Sequence, residues 1–233
     1  MNKPVSGKIN LKGSENSPFM DFPDPFIRSI EKKLKIFRFN KKQLIYREGF
    51  IPSGLFILIR GKAKIYKTAY NGKEVIVCIA RENELIGYSN LIAGTEYKTS
   101  ACATEDTDIG FISKKVFFDL IEKSPEFALR LMQIFSNDYD RAIDKLINVA
   151  TKQARKRIAE MLLRLLKKHG TEKDKQTLNI ILSREDLAHL VATNTETLVR
   201  TLTEFRKEKL IRLKGKRISI VDTKVLTKIA SIY

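Results

Sequence analysis

The sequence predicts an α+β chain in three parts: an all-β unit, one long helix, and a C-terminal helix-turn-helix followed by a β-hairpin. Three observations carry this expectation. Residues 36–112 hold short apolar or alternating runs punctuated by glycine, residues 132–149 follow a heptad, and residues 183–221 place two helical patterns three residues apart ahead of a basic hairpin.

Residues 1–24 are polar and irregular, with Gly7, Gly13, Pro18 and Pro23 and no periodicity, and read as a mobile leader. A short amphipathic helix follows near 26–34. Strand-like runs then occupy 36–39, 43–46, 55–60, 62–67, 74–80, 99–104 and 108–112. Their regular spacing points to a sandwich or barrel, not to βαβ units. Asn71-Gly72 is the clearest hairpin turn among them.

Met132, Phe135, Tyr139, Ala142, Leu146 and Val149 are spaced 3, 4, 3, 4, 3, an a/d seam flanked by Asp138, Asp140, Arg141, Asp144 and Lys145. Ile143 and Ile147 add a second stripe. The plainer reading packs this helix on the β unit. The favoured one lets one stripe pack there while the other faces a partner helix in a parallel homodimer.

A helix over 152–168 carries Ile158, Met161, Leu162, Leu165 and Leu166 and stops at His169-Gly170. After a polar linker, 178–182 reads as a short strand. Ser183 and Asp186 form a capping box for a helix that buries Leu187, Leu190 and Val191. Ala192-Thr193-Asn194 makes the turn, with Asn194 the N-cap of a second helix over 195–208. Residues 210–213 and 217–221 then form a hairpin around Lys214-Gly215-Lys216. The expected domains are a leader (1–24), a β unit (25–125), a dimerisation helix (126–150) and a winged helix-turn-helix (151–233).

The charge is distributed to match. The 233 residues hold 44 Lys+Arg against 27 Asp+Glu, a formal charge of +17. Residues 151–233 alone carry 20 basic and 9 acidic side chains, against 24 and 18 before them. A polyanion is the expected partner, nucleic acid first and an acidic membrane surface second. The helix over 152–168 approaches a basic amphipathic pattern, although its apolar face suits a domain core equally well. The longest apolar run, 75–80, is far below the roughly 20 residues of a membrane helix. The N-terminus has no apolar signal core, so no membrane association and a cytoplasmic location are expected.

Cys78 and Cys102 are too few for a disulfide framework or a four-thiolate site, and both fall in expected strands, as buried structural residues or, alternatively, as thiol sensors. The two histidines, His169 and His189, lie in the last third. With no Gly-rich phosphate loop or paired carboxylates, no catalytic constellation, metal site or cofactor is expected.

The segments LSREDLAHLVATNTETLVRTLTEFRKEKLIRLKGKRISIV (182–221), EGFIPSGLFILIRGKAKIYK (48–67) and Leu85-Ile86-Gly87 stand in an order that resembles the cyclic-AMP receptor protein / fumarate-nitrate reduction regulator (CRP/FNR) family of bacterial transcription regulators. The resemblance spans about 26–230. It implies a double-stranded β-roll, the jelly roll of cyclic-nucleotide-binding domains, then a dimerisation helix and a DNA-binding winged helix. The base-reading positions fall on Thr195, Glu196, Val199 and Arg200. Glu accepts from a cytosine amino group and Arg donates twice to guanine, each good contact contributing about 1–3 kcal/mol. Outside such a motif, Glu196 and Arg200 would read as an ordinary i,i+4 ion pair.

Thr195 stands where the cyclic-AMP receptor branch has an arginine, so a TTGA-type half-site is expected over TGTGA. Phosphate contacts are expected from Ser183, Arg184, Asn194 and Thr197 at the helix starts and from Lys214 and Lys216 in the wing, although the two lysines also suit a solvated turn.

The sensor departs from the family pattern. The position of the ribose-binding glutamate falls on Tyr88, and those of the phosphate-binding arginine and serine on Tyr97 and Lys98. A one-residue shift puts Lys98 with Thr99 there as a weaker anion site. The adenine-reaching positions of the long helix fall on Ala142 and Ile143. A cyclic phosphate needs a buried counter-charge, which two tyrosines do not supply. Tyr88 and Tyr97 either fill a collapsed pocket or stack on a different, more apolar ligand.

The implied protein is a homodimeric regulator of a near-palindromic double-stranded DNA site, with a hinge near 149–152. RNA polymerase is a further expected partner. The effector is either unknown or absent. Two alternatives are a cyclic-nucleotide-responsive regulator that uses Lys98 and Thr99, and a module whose winged helix contacts protein.

Overall fold

A computed structural model describes residues 9–13, 17–70 and 72–231, which form two compact units divided between Asp140 and Arg141. In the first unit the chain runs through α1 (Asp24–Glu31), β1 (Lys35–Phe39), β2 (Leu44–Tyr46), β3 (Gly54–Arg60), β4 (Ala63–Thr68), β5 (Glu74–Ala80), β6 (Leu85–Ile86), α2 (Tyr88–Ala93), β7 (Ser100–Ala103), β8 (Thr107–Ser113) and α3 (Lys114–Lys123). It then enters α4 (Pro125–Thr151), within which the division falls.

The strands make two antiparallel four-stranded sheets, ordered β1-β8-β3-β6 and β2-β7-β4-β5. The two sheets face each other, so Leu58, Ile109 and Ile86 from the first pack with Ala63, Ile65, Ala101 and Tyr46 from the second. The other face of the first sheet buries Leu55, Ile57 and Ile112 against Ile27 and Ile30 of α1, Phe117 and Leu120 of α3, and Phe127 and Leu131 of α4. Asp108 of β8 ties this sheet laterally. It accepts two hydrogen bonds from Arg38 of β1 (2.8 and 3.2 Å) and pairs with Arg60 of β3 at 3.0 Å.

Several expectations are corrected here. Within the supposed leader, residues 1–8 and 14–16 lie outside the described residues, but Leu11 and Phe19 are fully buried in the α3–α4 core and Phe22 nearly so. Phe19 stacks on Phe127 at a centroid distance of 5.9 Å, and Arg130 donates to the Ser17 carbonyl. Isolated aromatics among polar residues have no period, which hid this packing. Asn71 also lies outside the described residues, although Thr68 and Glu74 pair across that hairpin. The sequence reading missed α2. Cys78 is exposed, on edge strand β5 where the pairing with β4 shifts register, and Cys102 is half-buried; neither is the buried cysteine expected.

The second unit holds the end of α4, then α5 (Ala154–His169), α6 (Arg184–Leu190), α7 (Thr195–Lys207), β9 (Ile211–Lys214), β10 (Arg217–Ile220) and α8 (Thr223–Ser231). Ile158, Leu162 and Leu165 of α5 are buried, as are Leu187 of α6, Leu198, Leu202 and Phe205 of α7, Ile218 of β10 and Leu226 of α8. Leu190 is only half-buried, and Ala188 takes its place on the inner face. Residues 178–182 are not a strand. Only Leu178 and Thr177 make isolated bridges, to Thr171 and Ser219, while Leu178, Ile180 and Leu182 point inward.

Candidate nucleic-acid interface and sensor pocket

The winged helix is built by its caps. Ser183 Oγ accepts from the Asp186 backbone N–H at 3.0 Å, and the Asp186 carboxylate accepts in return from the Ser183 N–H at 3.4 Å, which satisfies free donors at the start of α6. Asn194 Oδ1 does the same for α7, accepting from the Thr197 N–H at 2.7 Å. The turn between the helices passes through Ala192 with φ at 51°, a left-handed conformation that lets the chain reverse within three residues.

On α7, Leu198, Thr201, Leu202 and Phe205 face inward. Thr195, Glu196, Val199 and Arg200 all lie exposed on the opposite side, so the four sequence-assigned positions share one face. No ion pair joins Glu196 to Arg200, and their polar ends are open to solvent. The hydroxyl of Thr203, one turn on, donates back to the Val199 carbonyl at 2.8 Å.

Lys214 and Lys216 are exposed at the β9–β10 turn, around Gly215 with φ at 58°. Arg184 has a task that sequence reasoning missed. Its guanidinium donates to the Gly215 carbonyl at 2.9 Å and to the Lys216 carbonyl at 3.5 Å, bracing the wing tip against the start of α6. Acceptors on the main chain leave no trace in side-chain patterns. Burial holds the Arg184 pKa below its ordinary value.

The seam residues of α4 divide. Phe127 and Leu131 are buried and Ile134 packs against the same core. Met132, Phe135, Tyr139, Ala142, Leu146 and Val149 are exposed along the chain, Met132 at 65% and Leu146 at 66%. The seam is therefore not the stripe that packs on the β unit.

The sensor residues do not converge as the sequence suggested. Tyr97 stacks on Tyr46 with ring centroids 4.1 Å apart, and Tyr46 stacks in turn on Phe56. This aromatic column lies between the sheets. Tyr88 belongs to the other core, as the first residue of α2, and its hydroxyl donates to Asp138 Oδ2 of α4 at 2.9 Å. Tyr88 and Tyr97 thus pack in different cores.

Gly87 makes the close packing possible. Its φ is 71°, and a Cβ there would come within 2.7 Å of the Tyr97 ring. Tyr97 is only 3% exposed and its hydroxyl finds no hydrogen-bond partner among the described residues. Burial pushes its pKa up to about 12. Burial also raises the pKa of Tyr46, against a side-chain hydrogen bond with Thr99. Lys98 is exposed and Thr99 half-buried. Ala142 and Ile143 are exposed and belong to the second unit, while the α4 residue that Tyr88 hydrogen-bonds is Asp138 of the first.

Among the described residues, no group of three or more His, Cys, Asp or Glu side chains is placed to hold a metal ion, and no helix is long and apolar enough to cross a membrane. His189 sits half-buried on α6.

A β-roll of two four-stranded sheets, a long helix and a winged helix with an open polar recognition face define a DNA-binding regulator with a sensor domain. Residues 36–124 match the cyclic nucleotide-binding domain family and residues 156–229 the Crp-like helix-turn-helix domain. The chain is 24% identical over 198 residues to the transcriptional activatory protein AadR of Rhodopseudomonas palustris, covering 83% of this chain and 80% of that protein. It is 27% identical over 188 residues to the cyclic AMP receptor protein of Thermus thermophilus, covering 80% and 83%. The structure of FixK2 from Bradyrhizobium japonicum superposes with a TM-score of 0.78 at 18% identity, covering 86% of this chain and 98% of that one. The chain belongs to the CRP/FNR family and is a DNA-binding transcription regulator of that type.

Proposed function

We propose that this regulator acts as a homodimer that reads a near-palindromic, TTGA-type site through Thr195, Glu196, Val199 and Arg200. The single observation that carries this reading is the open face of α7, where Glu196 and Arg200 lie exposed and unpaired to each other above a fully buried inner face. A carboxylate and a guanidinium one turn apart, free of each other, can address adjacent base edges in a major groove. The exposed seam of α4 supports a helix-to-helix dimer, which would set two recognition helices about 34–36 Å apart. Ser183, Asn194 and Thr197 stand at two helix starts, whose positive ends suit phosphates, and Lys214 and Lys216 add charge.

The aromatic column supports a sensor that does not take cyclic nucleotide. Tyr46, Tyr97 and Phe56 stack between the sheets, and among the described residues no lysine or arginine is buried. DNA binding would then follow either the abundance of the protein or an uncharged effector able to hydrogen-bond the Tyr97 hydroxyl. Contact with RNA polymerase would follow from binding beside a promoter.

Selection of bound fragments from a random DNA pool tests the reading, using the full chain and its Glu196→Ala and Arg200→Ala variants. The expected result is a two-fold symmetric site whose G·C preference is lost in both variants. A site indifferent to both substitutions would overturn the base assignment. Titration calorimetry with cyclic AMP tests the sensor, where micromolar binding would overturn the filled-pocket reading.

A further inference from the structure

The junction between α4 and α5 carries an arginine that the DNA-reading face does not use. Arg157 lies in the first turn of α5, half-buried, and all three of its donor nitrogens are engaged by backbone carbonyls. Nη1 donates to the carbonyl of Lys152, just past the end of α4, at 2.5 Å. Nε donates to Val191 at 2.9 Å and Nη2 to Ala192 at 3.1 Å, the residues that close α6 and open the turn. Every one of these groups belongs to the second unit.

The C-terminal ends of helices carry unpaired carbonyls and partial negative charge, and a guanidinium is a rigid planar fork of donors. Here a single cation caps two helix ends at once. It joins the close of α4 to the turn that precedes Asn194, the N-cap of the recognition helix. The last turn of α4 is held on a second side as well. Glu160 of α5 accepts from Lys152 Nζ at 2.9 Å and from Asn148 Nδ2 at 3.2 Å, and Arg164 pairs with the same carboxylate.

We propose that Arg157 is a positioning residue that fixes the direction of the recognition helix relative to the end of α4, and through it the spacing of the two half-sites that a dimer can read. This rests on the DNA-binding reading above. In a dimer joined along α4, the angle at each α4 end sets where each recognition helix falls. Losing the fork would let each head bind alone as before, while the two would no longer be held for one spacing.

The test uses the full chain with Arg157→Gln and Arg157→Lys, on three probes: the selected palindrome, a single half-site, and palindromes with the centre lengthened or shortened by one base pair. Arg157→Gln should weaken the palindrome by roughly tenfold or more, as expected when a second tethered contact is no longer held in place. It should leave half-site affinity within a factor of about three and flatten the preference for the native spacing. Arg157→Lys keeps the charge but cannot span carbonyls in two directions, so it should fall between; it carries the test if the Gln variant does not fold. Equal weakening of half-site and palindrome would mark Arg157 as merely structural and overturn the proposal, as would an unchanged spacing preference. A wild-type chain that selects no site would overturn the DNA reading itself, and this proposal with it.

Discussion

Phe19→Ala should destabilise the first unit by about 3–5 kcal/mol, the cost of emptying a fully buried aromatic site. The structure supports the upper part of that range. Phe19 has no solvent exposure, stacks on Phe127 and shares its core with Phe22, Phe117 and Leu131, so the gap left behind is walled by rigid neighbours. A unit of this size loses roughly 3–5 °C in melting temperature per kcal/mol, so its transition should fall by about 10–25 °C. Differential scanning calorimetry follows this transition alongside that of the second unit, which should not move. Met20→Ala is the control. Met20 is 42% exposed, and its loss should change stability by no more than about 0.5 kcal/mol. If Phe19→Ala melts within about 2 °C of wild type, the segment is not part of the core and the packing argument fails.

Other consequences follow from single contacts. Tyr97→Phe removes a buried hydroxyl without a partner, so it should leave stability unchanged or raise it by up to about 1 kcal/mol in urea unfolding; a loss of that size would reveal a missing partner. Asn194→Ala should cost about 1 kcal/mol through the lost cap on α7, read in the same assay, with Asn194→Ser recovering most of it. Asp108 is held below the ordinary carboxylate range, first by its hydrogen bonds from Arg38 and then by Arg60. Its contribution is therefore full above the unfolded value of about 3.9 and is lost as pH falls through the lower folded value. Urea midpoints of the first unit, measured from about pH 5 down to pH 3, should decline less steeply in Asp108→Asn than in wild type, and parallel declines would refute the assignment.

The two helices of the winged helix and the turn between them were legible because their signals are local. Ser183 with Asp186, the turn at 192–194 and Asn194 each act on backbone within four residues. The β-roll was legible as a class, since short glycine-bounded runs admit few architectures. Local signals did not reveal α2, a six-residue helix directly after β6 that is too short to show a separate period, nor the buried aromatics at Phe19 and Phe22. The sensor resisted for a different reason. Tyr46 and Tyr97 meet across 51 positions of chain, and only the fold shows that Tyr97 chooses Tyr46 while Tyr88 turns to Asp138. Arg184 was read as a phosphate contact and Arg157 only within the net charge, yet both spend their guanidinium groups on carbonyl oxygens, which every residue possesses and no composition advertises.

The brace from Arg184 to the wing has a consequence for variation. Because it grips main-chain oxygens at Gly215 and Lys216, the shape of the wing tip does not depend on which side chains stand at 214 and 216. Those two places are interchangeable sockets on a fixed bracket. Lysine there can be exchanged for glutamate or serine with the hairpin unmoved, so the electrostatic character of this edge can drift or be engineered separately from its geometry.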